Sequence, residues 1–273
     1  MLKLKKYHLA GLFALLIFLT SCESNDNAIS SVYIPQTINR KVLVEFFTNS
    51  GCIPCIDAHH YFDQIEAHVG ITPNDTGVII VSIHTNIPYQ PDPIYNSNVV
   101  QNNARMNYYN IISNPQGRAD GNDMQDFSST VWTAHIKAEM FSTKYMNITF
   151  QNNFFPSADS GFVTINIQTV VPIPTSDNKI FVVLTQDSIP YTTGPNGIKY
   201  PSDVMRYIVT GSSGAPITLT NGQTTQFGTG YSIPTSPANW YIPEKFNIVA
   251  FIQSTSTKQV YGVEKIKVIP ASK

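Results

Sequence analysis

Cysteine is scarce in this sequence: three residues in 273, at positions 22, 52 and 55. A stapled, disulfide-rich scaffold is therefore excluded. Charge is also scarce, at 13% Asp, Glu, Lys and Arg. No cluster of Lys and Arg exists to give nucleic acid an electrostatic footprint. The longest apolar run, Leu9 to Leu19, is about half of the roughly twenty residues a membrane-spanning helix needs. There is no G-x-S-x-G, no phosphate-cradling glycine loop, no H-E-x-x-H and no D-x-D-x-D-G calcium loop. The alternating strands are too few and too short for a lipid-facing barrel, which excludes a pore.

What is present begins with a leader. Lys3, Lys5 and Lys6 precede the apolar run, and small residues follow it, the marks of a secretory signal. Leu19-Thr20-Ser21-Cys22 resembles the lipobox of bacterial lipoproteins. That resemblance implies cleavage after residue 21 and lipid on Cys22. It also implies two or three acyl chains, each methylene contributing about 0.8 kcal/mol of membrane affinity. Residues 22–37 are small and polar and form a tether. Loss of residues 1–21 removes three lysines and no acid, leaving 14 basic against 18 acidic side chains, about −4. The expected location is the cell envelope of a Gram-negative bacterium, lipid-anchored at the outer membrane, on its periplasmic face or the cell surface.

The mature chain has two rhythms. From 38 to 145, strand and helix patterns alternate. Val42–Phe47 and Val78–Ile83 are apolar runs suited to buried strands, and Ile56, His59, Phe62, Ile65 and Val69 mark one helical face. Gly70 and Pro73 end that helix. Further helices are expected over 96–109 and 128–140. The segment after Pro115, Gln-Gly-Arg-Ala-Asp-Gly, makes a poor strand. From 146 to 273 the period is two, with strands at 162–170, 180–186, 204–210, 246–253 and 259–268. The expected fold class is α/β plus all-β: an α/β domain followed by an antiparallel β-sandwich of immunoglobulin-like size.

Gly51-Cys52-Ile53-Pro54-Cys55 lies between the first strand and the first helix. A thiol at a helix N-terminus faces unpaired N–H groups that stabilise its thiolate. Cys52 is expected as the exposed nucleophile and Cys55 as the resolving thiol; Pro54 suits the first turn. Strand, C-x-x-C, helix and strand in this order resemble the thioredoxin fold. The resemblance implies a cis-proline beside the cysteines, matched by Pro115 in Ile112-Ser113-Asn114-Pro115. It also implies a buried acid on the preceding strand. Glu45 is the nearest match, one residue further from the first cysteine than in thioredoxin, and Ser50-Gly51 stands where thioredoxin has tryptophan.

A narrower resemblance runs over most of the mature chain. It is carried by the lipobox, Val44-Glu45-Phe46-Phe47-Thr48, Asn114-Pro115-Gln116-Gly117, Val182-Val183-Leu184-Thr185-Gln186-Asp187, Asp203-Val204-Met205-Arg206 and Ile248–Gln253. Together these resemble the lipoproteins related to the 28-kilodalton outer-membrane protein, which combine a thioredoxin-like domain with a β-sandwich.

Three functional readings follow. The first is thiol–disulfide exchange on envelope proteins through Cys52 and Cys55, needing no cofactor and no metal. The second is a binding lipoprotein whose sandwich recognises a protein or glycan, with loops 191–201 and 231–241 and Trp240 as the places to look. The third joins Cys52 and Cys55 with His59 or His84 to hold copper(I) or zinc. His60, His68 and His135 are expected at the surface. Haem attachment is excluded, because Ile56 stands where C-x-x-C-H needs histidine.

Overall fold

The structure is a computed structural model and describes residues 40–70 and 77–269. The leader, Cys22, the tether and Pro73 lie outside the described residues.

In chain order the elements are β1 (Val42–Thr48), α1 (Cys55–Phe62), α2 (Ile65–Val69), β2 (Val78–His84), α3 (Pro93–Asn96), α4 (Val99–Tyr109), β3 (Gln116–Ala119), β4 (Asn122–Asp123) and α5 (Ser129–Met140). Then follow β5 (Met146–Phe155), β6 (Ser160–Thr169), β7 (Asn178–Gln186), β8 (Val204–Ile208), β9 (Ala215–Pro216), β10 (Thr224–Ser232), β11 (Phe246–Ser254) and β12 (Val260–Lys267). Strands and helices alternate up to Met140, strands joined by loops and three short 3-10 turns follow, and the architecture is mixed α/β. Two details differ from expectation. The first helical stretch breaks between Phe62 and Ile65, and its second piece ends on Gly70 in the left-handed region. The helix expected over 96–109 starts at Val99 as α4, and a separate short helix, α3, precedes it.

The second half does not close into a free-standing sandwich. One sheet runs β12-β11-β7-β8-β2-β1-β3-β4, with β9 on β7, so strands of both halves share it. The join is narrow: Ser82 of β2 pairs in parallel with Val204 of β8, and the Ser82 N–H donates to the Asp203 carbonyl. A second sheet, β10-β6-β5, packs face to face on the β7–β11–β12 end.

Period-two alternation decides which core each side chain joins. In β1, Val42, Val44 and Phe46 face α1, α2 and α5, in a core with Cys52, Cys55, Trp132 and Ile136. Leu43 and Phe47 face the other way, toward Met106 and Tyr109 of α4. That second core continues under Phe181, Val183, Val249 and Phe251, so a single apolar layer spans both halves.

The Gln116–Ala119 segment is a strand, against expectation. It pairs antiparallel with β1, Phe47 opposite Gln116 and Val44 opposite Ala119. Propensity is overridden by partner and packing. Gly117 lies under Met124 and Trp132, where an added Cβ would sit 2.9 Å from the Met124 sulfur.

Candidate redox site

The site is built on the turn between β1 and α1. Cys52 and Cys55 are joined by a disulfide, their Cα atoms 5.3 Å apart. Cys55 opens α1, and Pro54 occupies its N-cap. The turn is fixed by its own residues and by two distant loops. The Asn49 carbonyl accepts from the Cys52 N–H at 3.0 Å, and Asn49 Oδ1 accepts from the Gly51 N–H at 2.8 Å. Asn49 Nδ2 donates to the carbonyls of Thr85 (2.6 Å) and Tyr89 (2.9 Å). From the second half of the chain, the Asn196 N–H donates to the Ser50 carbonyl at 2.8 Å, and Asn196 Nδ2 donates to the Asn49 carbonyl at 3.2 Å. Gly51 leaves room for Tyr89, whose Cβ would lie 2.2 Å from any Cβ added there.

Hemmed in this way, the cysteines are covered. Cys52, expected to be exposed, is 1% exposed, and Cys55 is 0%. Between them Ile53 is open, 59% exposed.

Pro115 follows a cis peptide bond and directly precedes β3. The Phe47–Gln116 register puts it one step along, level with Thr48 and the start of the dicysteine turn. Cys52, Cys55 and Pro115 thus meet at one end of β1. Glu45 does not join them. Its position gives it the parity of Leu43 and Phe47, so it faces α4. There Arg105 clasps it in a buried bidentate pair, Nε to Oε1 at 2.8 Å and Nη2 to Oε2 at 2.6 Å. Tyr109 Oη donates to the same carboxylate at 2.7 Å. Burial opposes the Arg105 charge, but Glu45 outweighs it and raises the guanidinium pKa. Burial, with Glu45 beside it, also pushes the Tyr109 hydroxyl well above its ordinary value. One residue of offset is one face of offset in a strand.

On the cysteine face a polar cluster lies behind the turn. His59, one helical turn past Cys55, bonds through Nε2 to Thr48 Oγ1 at 3.1 Å, and its ring stands edge-on to Phe46. Burial, then the neighbouring His84 and His60, hold its pKa down to about 3, so its ring is neutral. The parallel register sets His84 beside Thr48. His84 Nδ1 meets Asp92 Oδ2 at 2.7 Å, and the Ser50 N–H donates to that same oxygen at 2.9 Å. Asp92 is fully buried. Burial pushes its pKa up, but His84 and the N–H groups of Ser50 and Ile94 outweigh this and bring it below the ordinary value.

Asp92, Asn49, Tyr89 and Asn196 were not singled out by sequence reasoning. Asp92-Pro93 carried a local signal, an acid before a proline, and Asp92 does cap α3 through Ile94 and Tyr95. The remaining roles arise from contacts remote in sequence. Among the described residues, no three His, Cys, Asp or Glu side chains are grouped as a metal would need. Both cysteines are tied in the disulfide, so the copper or zinc reading has no site. His60 and His68 are exposed, as expected, and His135 is half-buried. Trp240 is 4% exposed and packs with Ile94, Ile189 and Val204, so it is a core residue rather than a ligand platform.

The fold and site define a mixed α/β protein with a dicysteine disulfide at a helix N-terminus. Two solved structures share the fold. HBP35 of Porphyromonas gingivalis superposes with a TM-score of 0.68 at 12% identity, covering 85% of this chain and 76% of that one. Protein AGR_C_4864 from Agrobacterium tumefaciens does so at 0.51 and 15% identity, covering 87% and 98%. A domain of the outer membrane lipoprotein Omp28 from Porphyromonas gingivalis aligns over 48% of this chain and 93% of its own, at 21% identity and a TM-score of 0.34. No protein-family model and no curated protein matches the chain.

Proposed function

We propose that this is a lipid-anchored envelope protein that carries out thiol–disulfide exchange on other proteins through Cys52 and Cys55. The observation that carries the reading is the Cys52–Cys55 disulfide at the first turn of α1, with cis-Pro115 level with the same turn. The arrangement supports a thioredoxin-like reading of the site. The helix N-terminus favours a thiolate on reduction. The exposed Ile53, inside the motif, offers an apolar contact for a protein substrate. The leader and Leu19-Thr20-Ser21-Cys22 support export and a lipid anchor on Cys22. Because Cys52 is covered, exchange requires the Tyr89 or Asn196 side of the turn to part.

The reduction potential tests the reading, measured on the full-length chain in detergent by glutathione equilibration and mass-spectrometric thiol counting. A value of about −270 to −120 mV with fast exchange is expected for a working dithiol couple. A bond below about −300 mV and slow to exchange is structural and sinks the reading.

A second reading, glycan recognition, is favoured by the outer face of the β10-β6-β5 sheet. Its outward positions, including Thr149, Gln151, Asn166 and Gln226, carry amides and hydroxyls but no charge. Phe155 and Phe162 stand 53% and 47% exposed on or beside it. Glycan-array binding that is lost in Phe162→Ala supports this reading, and no binding by the wild type removes it.

A further inference from the structure

The two sheets end on four strands, β12 and β4 in the large sheet and β10 and β5 in the small one. An open edge presents unpaired N–H and C=O groups to any strand that reaches it, and proteins blunt such edges with charge, proline, bulges, shortness or cover. Three of the four are blunted. β4 has two residues, one of them Asp123. β12 carries Glu264, Lys265 and Lys267, and at its start Val260 is tied by the Asp120 carbonyl and by Arg40. β5 packs against β12, with Met146 over Gly262 and Asn152 Nδ2 donating to the Val268 carbonyl.

β10 has none of these devices. Thr224–Ser232 is nine residues long, holds no charged residue and no proline, and pairs with β6 from end to end without a bulge. The register shows which backbone groups face out. The Thr169 N–H donates to the Gln223 carbonyl and the Ile233 N–H to the Asp159 carbonyl, so the odd-numbered residues of β10 bond to β6. In an antiparallel ladder bonded residues alternate. The N–H and C=O groups of Thr224, Gln226, Gly228, Gly230 and Ser232 therefore point to the open side, and none of those N–H groups has a partner among the described residues.

We propose that β10 is an association edge on which two copies of the chain pair, antiparallel about a twofold axis at Gly228, joining their β10-β6-β5 sheets into one. The strand is self-complementary in that register. On the solvent face Thr224 meets Ser232, Gln226 meets Gly230 and Gly228 meets its own copy. On the core face Thr225 meets Tyr231 and Phe227 meets Thr229. No like charges are opposed, and each outward pair exchanges two N–H···O bonds. The same patch serves on both copies, so the assembly closes at two.

Phe162 selects a second copy over a foreign strand. It is 47% exposed, and its ring leans across from β6 over Gly228, 2.9 Å from where an added Cβ would sit. An aromatic ring laid over a strand glycine restores packing that the glycine lacks. With the axis at Gly228, both Phe162 rings stand over the paired glycines and cover each other's apolar surface. A foreign strand brings no second ring. The proposal does not depend on the redox reading.

Sedimentation velocity of the full-length chain in density-matched detergent, over a concentration series, tests it. The wild type is expected to pass from monomer to dimer as concentration rises. Gln226→Pro removes an N–H that β6 does not use, and the symmetric pair loses two bonds, so dimerisation should weaken about tenfold. If that variant does not fold, charge reads the register instead. Gln226→Lys with Gly230→Lys opposes lysines across the axis, and Gln226→Glu with Gly230→Glu opposes carboxylates. Gly230 has room for either, since an added Cβ would meet only the Gly161 carbonyl oxygen, at 3.8 Å. Each charged variant alone should stay monomeric where the wild type is dimeric, and an equal mixture of the two should recover the dimer. A wild type that stays monomeric at every concentration overturns the proposal. So does a dimer that survives in both charged variants, which places the contact on another surface, and so does a mixture that stays monomeric.

Discussion

The backbone N–H of Asn196 donates to the carbonyl of Ser50 at 2.8 Å, so a loop of the second half is bolted to the dicysteine turn of the first. The Asn196 side chain strengthens the bolt by donating to the Asn49 carbonyl, while its Oδ1 accepts from the Ile198 N–H at 3.1 Å. Asn196→Ala removes both side-chain bonds at a site 7% exposed. The expected cost is about 1–2 kcal/mol in urea unfolding. The disulfide of the variant should also react several-fold faster with dithiothreitol, because the turn is less tightly covered. An unchanged reduction rate would show that the loop does not limit access.

Gly51 and Tyr89 form a steric lock. Gly51→Ala drives a methyl to within 2.2 Å of the Tyr89 Cβ, which the turn can relieve only by moving. The expected destabilisation is about 1–3 kcal/mol. Tyr89→Gly in the same chain should recover most of the overlap penalty. A double-mutant cycle checks this, and additive costs would mean that the two residues do not clash.

The Glu45–Arg105 pair predicts an asymmetric cost. Both side chains are 2% exposed, so Glu45→Gln leaves a buried guanidinium short of its counter-charge. Breaking such a pair costs about 3–5 kcal/mol, whereas removing both charges costs less. Glu45→Leu with Arg105→Met should therefore be more stable than either single variant by chemical denaturation. Equal or greater loss in the double variant would contradict it.

His59 gives the folded state a pH dependence of known sign. Its pKa is about 3 in the fold and 6.5 when unperturbed, so between these values the unfolded chain binds more protons. Stability then rises with pH across that window and is fully present above about 6.5. Unfolding free energies measured from pH 4 to 8 should show this rise in the wild type. In His59→Gln the rise should be shallower. A wild-type slope that is unchanged in the variant would assign the dependence elsewhere.

Much of this was legible from the chain itself. Apolar runs and helical spacing placed β1, β2, α4 and α5, and the dicysteine segment fell where a strand meets a helix. Pro115 was reached only through the resemblance to the thioredoxin fold, which implies a cis-proline beyond the second helical stretch; the other signals rest on the sequence itself. These signals are local: period, caps and turn residues act over a few positions.

What the chain could not announce was decided by partners far away. Gln116–Ala119 became a strand because β1 was there to pair with it and Trp132 to cover Gly117. The side of the sheet on which Glu45 ended up depended on one residue of register. The two rhythms merged into one sheet through a single contact between Ser82 and Val204. Asp92, His84 and Asn196 gathered on the dicysteine turn only once β2, the loop before α3 and the loop after β7 were brought together. Local sequence sets which backbone states are cheap; which polar atoms meet is set by tertiary packing, since each buried donor must find its acceptor wherever the fold delivers one.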